Sequence, residues 1–268
     1  MKQYHYYTGD DFTIVICAYG NCEYLEACIQ KVKRQTVKAK VLISTSTPND
    51  HILGLAEKYG IEVRVNPEGG HVKDYNFAMR QADTPLCMLA HQDDLISRRF
   101  VEMNLKALNH SKRPIIAFCN YLEMHDDVVD QKPSAMVKVK RLMLSPLKIP
   151  GLGETQFGKW LIQCMGDPIT HPTVVCVMKE MPEEIFREKY RASMDWDLWQ
   201  RLSKQEGAFV YTSRVMLLHR MNKENATAQL LEHTNARYEE EFEIMSRFWP
   251  KWIAKIIMHF YSKTAQFY

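Results

Sequence analysis

The sequence predicts an α/β fold in which a mostly parallel β-sheet is flanked by helices. Short β-rich apolar runs alternate with segments whose apolar residues recur at helical spacing. The intervals between them suit βαβ units with right-handed crossovers. A chain of 268 residues, 46% of them hydrophobic, is long enough for one large domain and a small extension. We place the domain at 1–235, in halves of 10–125 and 126–235, and a helical extension at 236–268.

The predicted strands are apolar runs bounded by polar residues or turn signals: FTIVICAY (12–19), KAKVLISTSTPND (38–50, ending in a polar loop), IEVRVN (61–66), PLCMLAHQDD (85–94), PIIAFCNYLEM (114–124), PTVVCVM (172–178) and AFVYTSRVMLLHRMN (208–222). The predicted helices show apolar residues at helical spacing: 21–35, 51–60, 72–82, 100–109 and 194–205. Gly60 is expected to close the second helix. Between about 126 and 160 the periodicity fades, which predicts a long irregular segment.

Composition excludes several classes of function. A net charge of +3 is too small to indicate a nucleic-acid partner. No apolar stretch approaches the roughly 20 residues needed to cross a bilayer, and the N-terminus lacks the apolar core of a signal peptide. The seven cysteines form no CxxC pair and several lie in apolar runs. Buried thiols of this kind indicate a reducing compartment, so we expect a cytoplasmic protein.

Two adjacent acids, Asp93 and Asp94, directly follow the fourth predicted strand. Ligands of parallel sheets bind beyond the carboxyl ends of the strands, and paired carboxylates there suit a hard divalent cation that also bridges phosphates. The alternative is a solvated turn in which Asp94 stabilises the start of the next helix. The motif alone leaves both interpretations open.

Two later motifs carry further candidate residues. Asp195, in MDWDLWQRL, lies near a helix start, where it can serve as a general base or simply as a capping acid. In LLHRMN, His219 can ligate a metal, and Arg220 or Lys223 can hold a phosphate. An ordinary histidine at a strand end is the alternative for His219.

In their order and spacing, these segments resemble the inverting glycosyltransferases of family 2, which have a GT-A (Rossmann-like) fold. The resemblance covers roughly residues 10–230. FTIVICAYGNCEYLEACIQKVKRQT resembles the family's opening strand and helix, and VLISTSTPND its donor loop. HQDD stands at the Asp-x-Asp metal site, MDWDLWQRL at the acceptor-side helix and LLHRMN at the late His/Arg loop.

The resemblance implies a site for each step of sugar transfer. Asp93, Asp94 and His219 would hold Mn²⁺ or Mg²⁺, and Asp195 would be the catalytic base. Contacts to the nucleotide-sugar are implied for ten residues: Cys17, Ala18, Tyr19, Ser44, Lys73, Asn76, His91, Gln92, Asp93 and Arg220. The donor would be a nucleotide-diphosphate sugar, with UDP expected, bound by the half 10–125. The acceptor, bound by 126–235, would be a glycan or polyprenyl-linked molecule of bacterial cell-surface polysaccharide synthesis.

The chain departs from the family pattern at several positions. His91 stands where the first Asp of Asp-x-Asp is usual, Ser44 where the second strand usually ends in an acid, and Met194 where a Glu precedes the base. Lys73 stands on the third helix, which lacks the customary Arg. A non-catalytic nucleotide-sugar-binding or scaffold protein is therefore the second hypothesis. A nucleotidyltransferase is disfavoured, because AYGNCEYLEA has a single glycine and no Lys or Arg.

The C-terminal segment predicts an amphipathic helix. Basic residues recur every four positions: Arg247, Lys251, Lys255, His259 and Lys263. Aromatic and aliphatic residues fill the intervening face. Such a helix over 247–263 can contact the inner face of the cell membrane peripherally. Packing on the domain body and a homodimer contact are the alternatives.

Overall fold

The computed structural model describes residues 5–125, 127–221 and 236–265 and shows a nine-stranded sheet flanked by helices. The strands are β1 (Phe12–Ala18), β2 (Lys40–Thr45), β3 (Glu62–Val65), β4 (Leu86–His91), β5 (Leu95–Ile96), β6 (Pro114–His125), β7 (Val128–Val129), β8 (Val175–Val177) and β9 (Ala208–Arg220). The α-helices are α1 (Leu25–Lys33), α2 (Asp50–Tyr59), α3 (His71–Arg80), α4 (Phe100–His110), α5 (Ala135–Leu144), α6 (Gln156–Gln163), α7 (Met194–Leu202), α8 (Ala236–Met245) and α9 (Lys251–Ala265).

The sheet is mostly parallel, as the sequence predicts. Its order is β3-β2-β1-β4-β8-β6-β9-β5, with β7 paired to β6. Strands β3, β2, β1 and β4 are parallel neighbours, and β8 runs antiparallel between β4 and β6. Because β9 is parallel to β6, six strands share one direction and only the short β5, β7 and β8 oppose it. The carboxyl ends of β1, β2 and β4 therefore meet at one edge.

Helices cover both faces of the sheet, which explains the continuous apolar runs of the central strands. Along β1, Ile14 and Ile16 face one core layer and Val15 faces the other, because successive side chains of a strand alternate. The first layer is completed by residues of α1, α2 and α4, and the second by residues of α3, α6, α7, α8 and α9. Gly60 ends α2 at a φ of 60°, in the left-handed conformation that favours glycine, as predicted.

The predicted irregular segment at 126–160 is wrong, because two helices form there. The Ser134 side chain accepts a hydrogen bond from the Val137 N–H and begins α5, and the Thr155 side chain accepts one from the Gly158 N–H and begins α6. Such caps satisfy backbone donors that a helix start would otherwise leave unpaired. Pro146, Pro150, Gly151 and Gly153, which obscure the periodicity, lie in the connection between α5 and α6.

The C-terminal helices pack on the body of the domain. Ile244, Met245, Ala254 and Met258 are fully buried in the second core layer. The inner face of α9 therefore packs on the domain body, which is one of the alternatives that the sequence leaves open. The boundary predicted at residue 235 and the candidate Lys223 lie outside the described residues, as do the side chains of 260–263. Across the described parts of the chain, the search for a helix long and apolar enough to span a bilayer finds none.

An ion cluster ties α7 to the segment between α8 and α9. Asp197 has no exposed side-chain area, and its carboxylate accepts hydrogen bonds from Arg247 Nη1 at 2.7 Å and from Arg201 Nε at 2.9 Å. Arg187 lies 3.7 Å away. Removing a buried charge from such a group leaves its partners uncompensated.

Asp197→Ala is therefore expected to lower the free energy of unfolding by about 3–5 kcal/mol. Denaturant titration measures this change. The control is Glu57→Ala, which removes a carboxylate from the exposed face of α2 and should change stability by no more than about 0.5 kcal/mol. Equal effects of the two substitutions would contradict a structural role for the cluster.

Candidate functional site

The candidate site begins as a row of residues across three parallel strands. Cys17 of β1 is in register with Ser44 of β2 on one side and with His91 of β4 on the other. All three lie at or next to the carboxyl ends of their strands, where ligands of open α/β sheets bind. Burial raises the pKa of Cys17 to about 12, so its thiol is protonated at neutral pH. The structure thus brings together candidates that are up to 74 positions apart in the sequence.

The segment after β1 is held against the segment after β4 by one glutamine. The Tyr19 N–H donates to Gln92 Oε1 at 2.8 Å, and Gln92 Nε2 donates to the Tyr19 carbonyl at 3.1 Å. Tyr19 itself is 64% exposed, whereas the preceding Ala18 is buried. The two hydrogen bonds fix the Tyr19 backbone and leave its ring accessible, an arrangement that suits stacking on a planar ligand.

Asp94 is a buried carboxylate with only one oxygen satisfied. Its side chain is 2% exposed, and Oδ1 accepts hydrogen bonds from His219 Nδ1 at 2.8 Å and from the Arg220 N–H at 3.0 Å. Oδ2 is buried and has no hydrogen-bond partner among the described residues. A buried polar atom without a partner needs an explanation, and a bound cation would supply one.

The charges of this site are coupled. Burial raises the pKa of Asp93 to about 6, with the neighbouring Asp94 adding to the effect. Burial also acts to raise the pKa of Asp94, but the facing His219 outweighs it and the pKa is lowered. Burial acts to lower the pKa of His219, and Asp94 raises it overall. Asp94 and His219 therefore each favour the charged form of the other.

The residues at this site fit a divalent cation. Ligand atoms of His91, Asp93 and Asp94 lie within 4.8 Å of one another. Burial lowers the pKa of His91 to about 4, so its imidazole is neutral and able to ligate. Asp94 Oδ2, the oxygen without a hydrogen-bond partner among the described residues, lies 3.8 Å from His91 Nδ1. His219, also predicted as a ligand, is outside this cluster; its Nδ1 contacts Asp94, so any ligation would have to use Nε2.

Two of the remaining predicted binding residues, Arg220 and Lys73, have partners within the chain. The buried Arg220 guanidinium lies 3.7 Å from the centre of the Tyr24 ring, and Nη1 is 2.7 Å from Asp127 Oδ1. Its Nε donates to the Asp93 carbonyl at 3.1 Å, so Arg220 contacts the backbone of the acid pair. Lys73 is ion-paired with Glu68 at 2.9 Å.

Asn76 holds a loop of the second half of the chain. Its Nδ2 donates to the Phe186 carbonyl at 2.7 Å, and its Oδ1 accepts from the Phe186 N–H at 2.9 Å. Both polar groups of the side chain are thereby engaged. The structure gives Asn76 a positioning contact between α3 and the loop that precedes α7.

Asp195 lies in the first turn of α7, where its Oδ1 accepts a hydrogen bond from the Trp196 N–H at 2.9 Å. Burial raises its pKa. The pKa of Asp167 is also raised, by burial and by the Asp195 charge. Lys140 of α5 acts on both carboxyl groups in the opposite direction. Buried carboxyl groups with raised pKa values are candidates for general acid–base catalysis.

Sequence reasoning missed Asp167, Lys140 and Tyr75. Lys140 lies in the segment predicted to be irregular, and Asp167 lies in GDPITHPT, which carries no helical or strand periodicity. The Tyr75 hydroxyl of α3 lies 3.2 Å from His91 Nε2, and its pKa is raised well above its usual value by burial. Asp74, also on α3, accepts hydrogen bonds from Ser46 and Asn66.

Comparisons with known proteins concern the family and the fold. The sequence model of Glycosyl transferase family 2 matches residues 13–165. A search of curated protein sequences finds no significant match.

Several solved structures have a similar fold. TarS 1–349 from S. aureus in complex with UDP-GlcNAc is 13% identical, with a TM-score of 0.61 over 92% of this chain and 70% of that chain. The mannosyltransferase PcManGT from Pyrobaculum calidifontis, with GDP-Man and Mn²⁺, is 13% identical, with a TM-score of 0.63 over 94% and 70%. Glucosyl-3-phosphoglycerate synthase from Mycobacterium tuberculosis, with Mn²⁺, UDP and glucosyl-3-phosphoglycerate, is 12% identical, with a TM-score of 0.51 over 82% and 77%. At these identities the likeness concerns the fold.

Proposed function

The chain belongs to glycosyl transferase family 2 and has the GT-A fold, and from this premise we propose that it transfers a sugar, with inversion, from a nucleotide-diphosphate sugar to a hydroxyl group. The observation that carries the proposal is the cluster of His91, Asp93 and Asp94 at the carboxyl end of β4, with its unpartnered buried oxygen. A divalent cation there would face the region where the diphosphate of a donor must lie.

The donor side is built from the half 10–125, closed by residues of β9. Tyr19 offers its exposed ring to the nucleobase, with Cys17, Ala18 and Ser44 beside it. Asp93, Asp94 and His91 would hold the cation, and His219 would join them only through Nε2. When bound, Mn²⁺ or Mg²⁺ would neutralise the charge that develops on the leaving diphosphate. Arg220 keeps the Asp93 backbone in place through its hydrogen bond to the carbonyl.

The acceptor side is built from the half 126–235, with Asp195 as the general base. Its carboxylate takes the proton of the acceptor hydroxyl as that oxygen attacks the anomeric carbon from the face opposite the diphosphate. The raised pKa of Asp195 makes it a stronger base than an exposed aspartate. The Lys140 ammonium favours the ionised form of Asp195 and of the neighbouring Asp167.

We propose UDP as the carrier of the sugar and a glycan or polyprenyl-linked molecule as the acceptor, in the synthesis of bacterial cell-surface polysaccharide. Two of the similar structures hold UDP or UDP-GlcNAc and one holds GDP-Man, so the fold accommodates either base. A panel of UDP-, GDP-, CDP- and dTDP-sugars therefore tests the proposal. Release of nucleoside diphosphate from one donor, dependent on divalent metal and stopped by EDTA, is the expected result. Binding of a donor without release would favour a non-catalytic nucleotide-sugar-binding protein instead.

Helix α9 supports a cytoplasmic protein that contacts the inner membrane face peripherally. Its outer face exposes Trp252 and Ile256, at 67% and 51%. Lys251, Lys255 and His259 are exposed beside them. Apolar side chains flanked by cations suit the interface of a bilayer that contains anionic lipids.

Trp252→Gln combined with Ile256→Gln is expected to weaken binding to phosphatidylglycerol-containing vesicles by about tenfold or more, because two apolar side chains no longer leave water. Co-sedimentation measures this affinity. Leu53→Gln, at an exposed position of α2, is the matched control and should leave it unchanged. Equal binding of all variants would contradict the membrane contact. Light scattering distinguishes the remaining alternative, a homodimer through the same face.

A further inference from the structure

The metal cluster contains one imidazole beside its two carboxylates. His91 Nδ1 is 3.8 Å from Asp94 Oδ2, and Asp94 is almost fully buried. The opposite carboxylate oxygen, Oδ1, is occupied by His219 and the Arg220 N–H. Within the cluster of His91, Asp93 and Asp94, the atoms left to face a cation are therefore Asp94 Oδ2, an Asp93 oxygen and His91 Nδ1.

Tyr75 contacts the second nitrogen of the His91 ring, Nε2. Its hydroxyl oxygen lies 3.2 Å from His91 Nε2. When Nε2–H donates to that oxygen, Nδ1 carries a lone pair that points towards the carboxylates. The Tyr75 ring is held in place by edge contacts with His71, His171 and Phe186, at centroid distances of 5.1, 5.2 and 6.1 Å. An outer partner of this kind fixes the orientation of a ligating histidine.

The chemistry of the ligands distinguishes the two candidate cations. Mg²⁺ is a hard ion that prefers oxygen ligands and near-ideal octahedral geometry, and it gives up its water reluctantly. Imidazole nitrogen is a better ligand for first-row transition ions, whose affinities rise from Mn²⁺ towards Cu²⁺. We infer that His91 makes this site select a first-row transition metal ion over Mg²⁺, with Tyr75 as the positioning residue. The inference rests on the proposed function only in taking this cluster as the metal site.

The test is a direct binding measurement with Mn²⁺ as the probe. Loss of the free Mn²⁺ signal in electron paramagnetic resonance gives its affinity, and competition by Mg²⁺ gives the ratio of the two affinities, each with and without UDP. The wild-type protein should need an excess of Mg²⁺ of about 100-fold or more to displace half of the Mn²⁺. His91→Asp, which places a third carboxylate at the site, should reduce that excess by at least about tenfold.

Tyr75→Phe provides the second arm of the test. Because an outer partner typically contributes 10–100-fold to metal affinity, this variant should bind Mn²⁺ about tenfold more weakly and shift the ratio towards Mg²⁺. Tyr190→Phe is the matched control, since it removes a hydroxyl that donates to Glu243 of α8 and should leave both affinities unchanged. Thermal unfolding of all variants in EDTA reports whether each remains folded.

A spectroscopic signature separates ligation from a change in fold. Nitrogen modulations on bound Mn²⁺, measured by electron spin-echo envelope modulation, should decrease in His91→Asp. Unchanged modulations together with an unchanged Mn²⁺/Mg²⁺ ratio would overturn the inference while leaving the proposed function intact. A wild-type protein that binds no Mn²⁺ with or without UDP would contradict both.

Discussion

Asp195→Asn is expected to lower kcat by about 100- to 10,000-fold, the usual contribution of a general base. Asparagine has nearly the same shape, and its carbonyl oxygen can still accept the hydrogen bond from the Trp196 N–H. The fold and the donor site should therefore be preserved, and the affinity for the nucleotide should change by no more than about threefold, because the substitution removes a group that acts on the acceptor. Steady-state kinetics and nucleotide titration measure the two quantities.

The dependence on pH gives a further check of Asp195. A base works only when deprotonated, so kcat should fall as the pH decreases through its pKa, which burial raises above the ordinary carboxyl value. Asp167→Asn removes the second carboxyl group, whose own pKa the Asp195 charge raises, so the fall of kcat at low pH should then report Asp195 alone. The two carboxyl groups titrate as a pair, so in the wild-type protein the pH at which kcat falls reflects both of them. An Asp195→Asn variant with unchanged turnover would show that another group is the base.

Asp94→Asn is expected to weaken metal-dependent nucleotide binding by at least about 100-fold, because it removes a direct ligand and outer partners alone are worth 10–100-fold. The variant also loses the negative charge that faces His219, so the pKa of that imidazole should fall. Calorimetry with Mn²⁺ and UDP measures the loss. In EDTA, any residual nucleotide affinity should be the same in the variant and the wild-type protein.

That comparison in EDTA separates a metal ligand from a structural residue. If Asp94 serves only to hold His219 and the Arg220 backbone, its replacement would lower stability and leave the metal dependence of binding unchanged. Equal metal dependence in the two proteins would therefore contradict the role given to Asp94.

The sequence is sufficient to predict the edge of the sheet at which the nucleotide-sugar is proposed to bind, because that edge depends on local patterns. An apolar run followed by polar residues identifies β1 and β4, and parallel pairing then brings Cys17 beside His91. Asp93 and Asp94 can be predicted for the same reason, because they directly follow the apolar run of β4. Their partner His219 was found only as a motif, since the contact with Asp94 joins residues 125 positions apart.

The acceptor side was less accessible to sequence reasoning, because its residues meet through tertiary packing. Asp167 and Asp195 come from different segments, and each has its pKa raised mainly by burial, which one sequence does not reveal. Lys140 was hidden because the α5 helix depends on a cap at Ser134 within a region rich in proline and glycine. Tyr75 was read as part of a helix, and its contact with His91 follows from how α3 packs on β4.

The central claim is that the carboxyl ends of β1, β2 and β4 bind a nucleotide through a divalent cation. Its most direct test is calorimetric titration of the wild-type protein with UDP, GDP, CDP and dTDP, each with Mn²⁺ and again with EDTA. UDP should bind with Mn²⁺ and at least about tenfold more weakly in EDTA, since the cation neutralises the diphosphate. Failure of all four nucleotides to bind in either condition would contradict it.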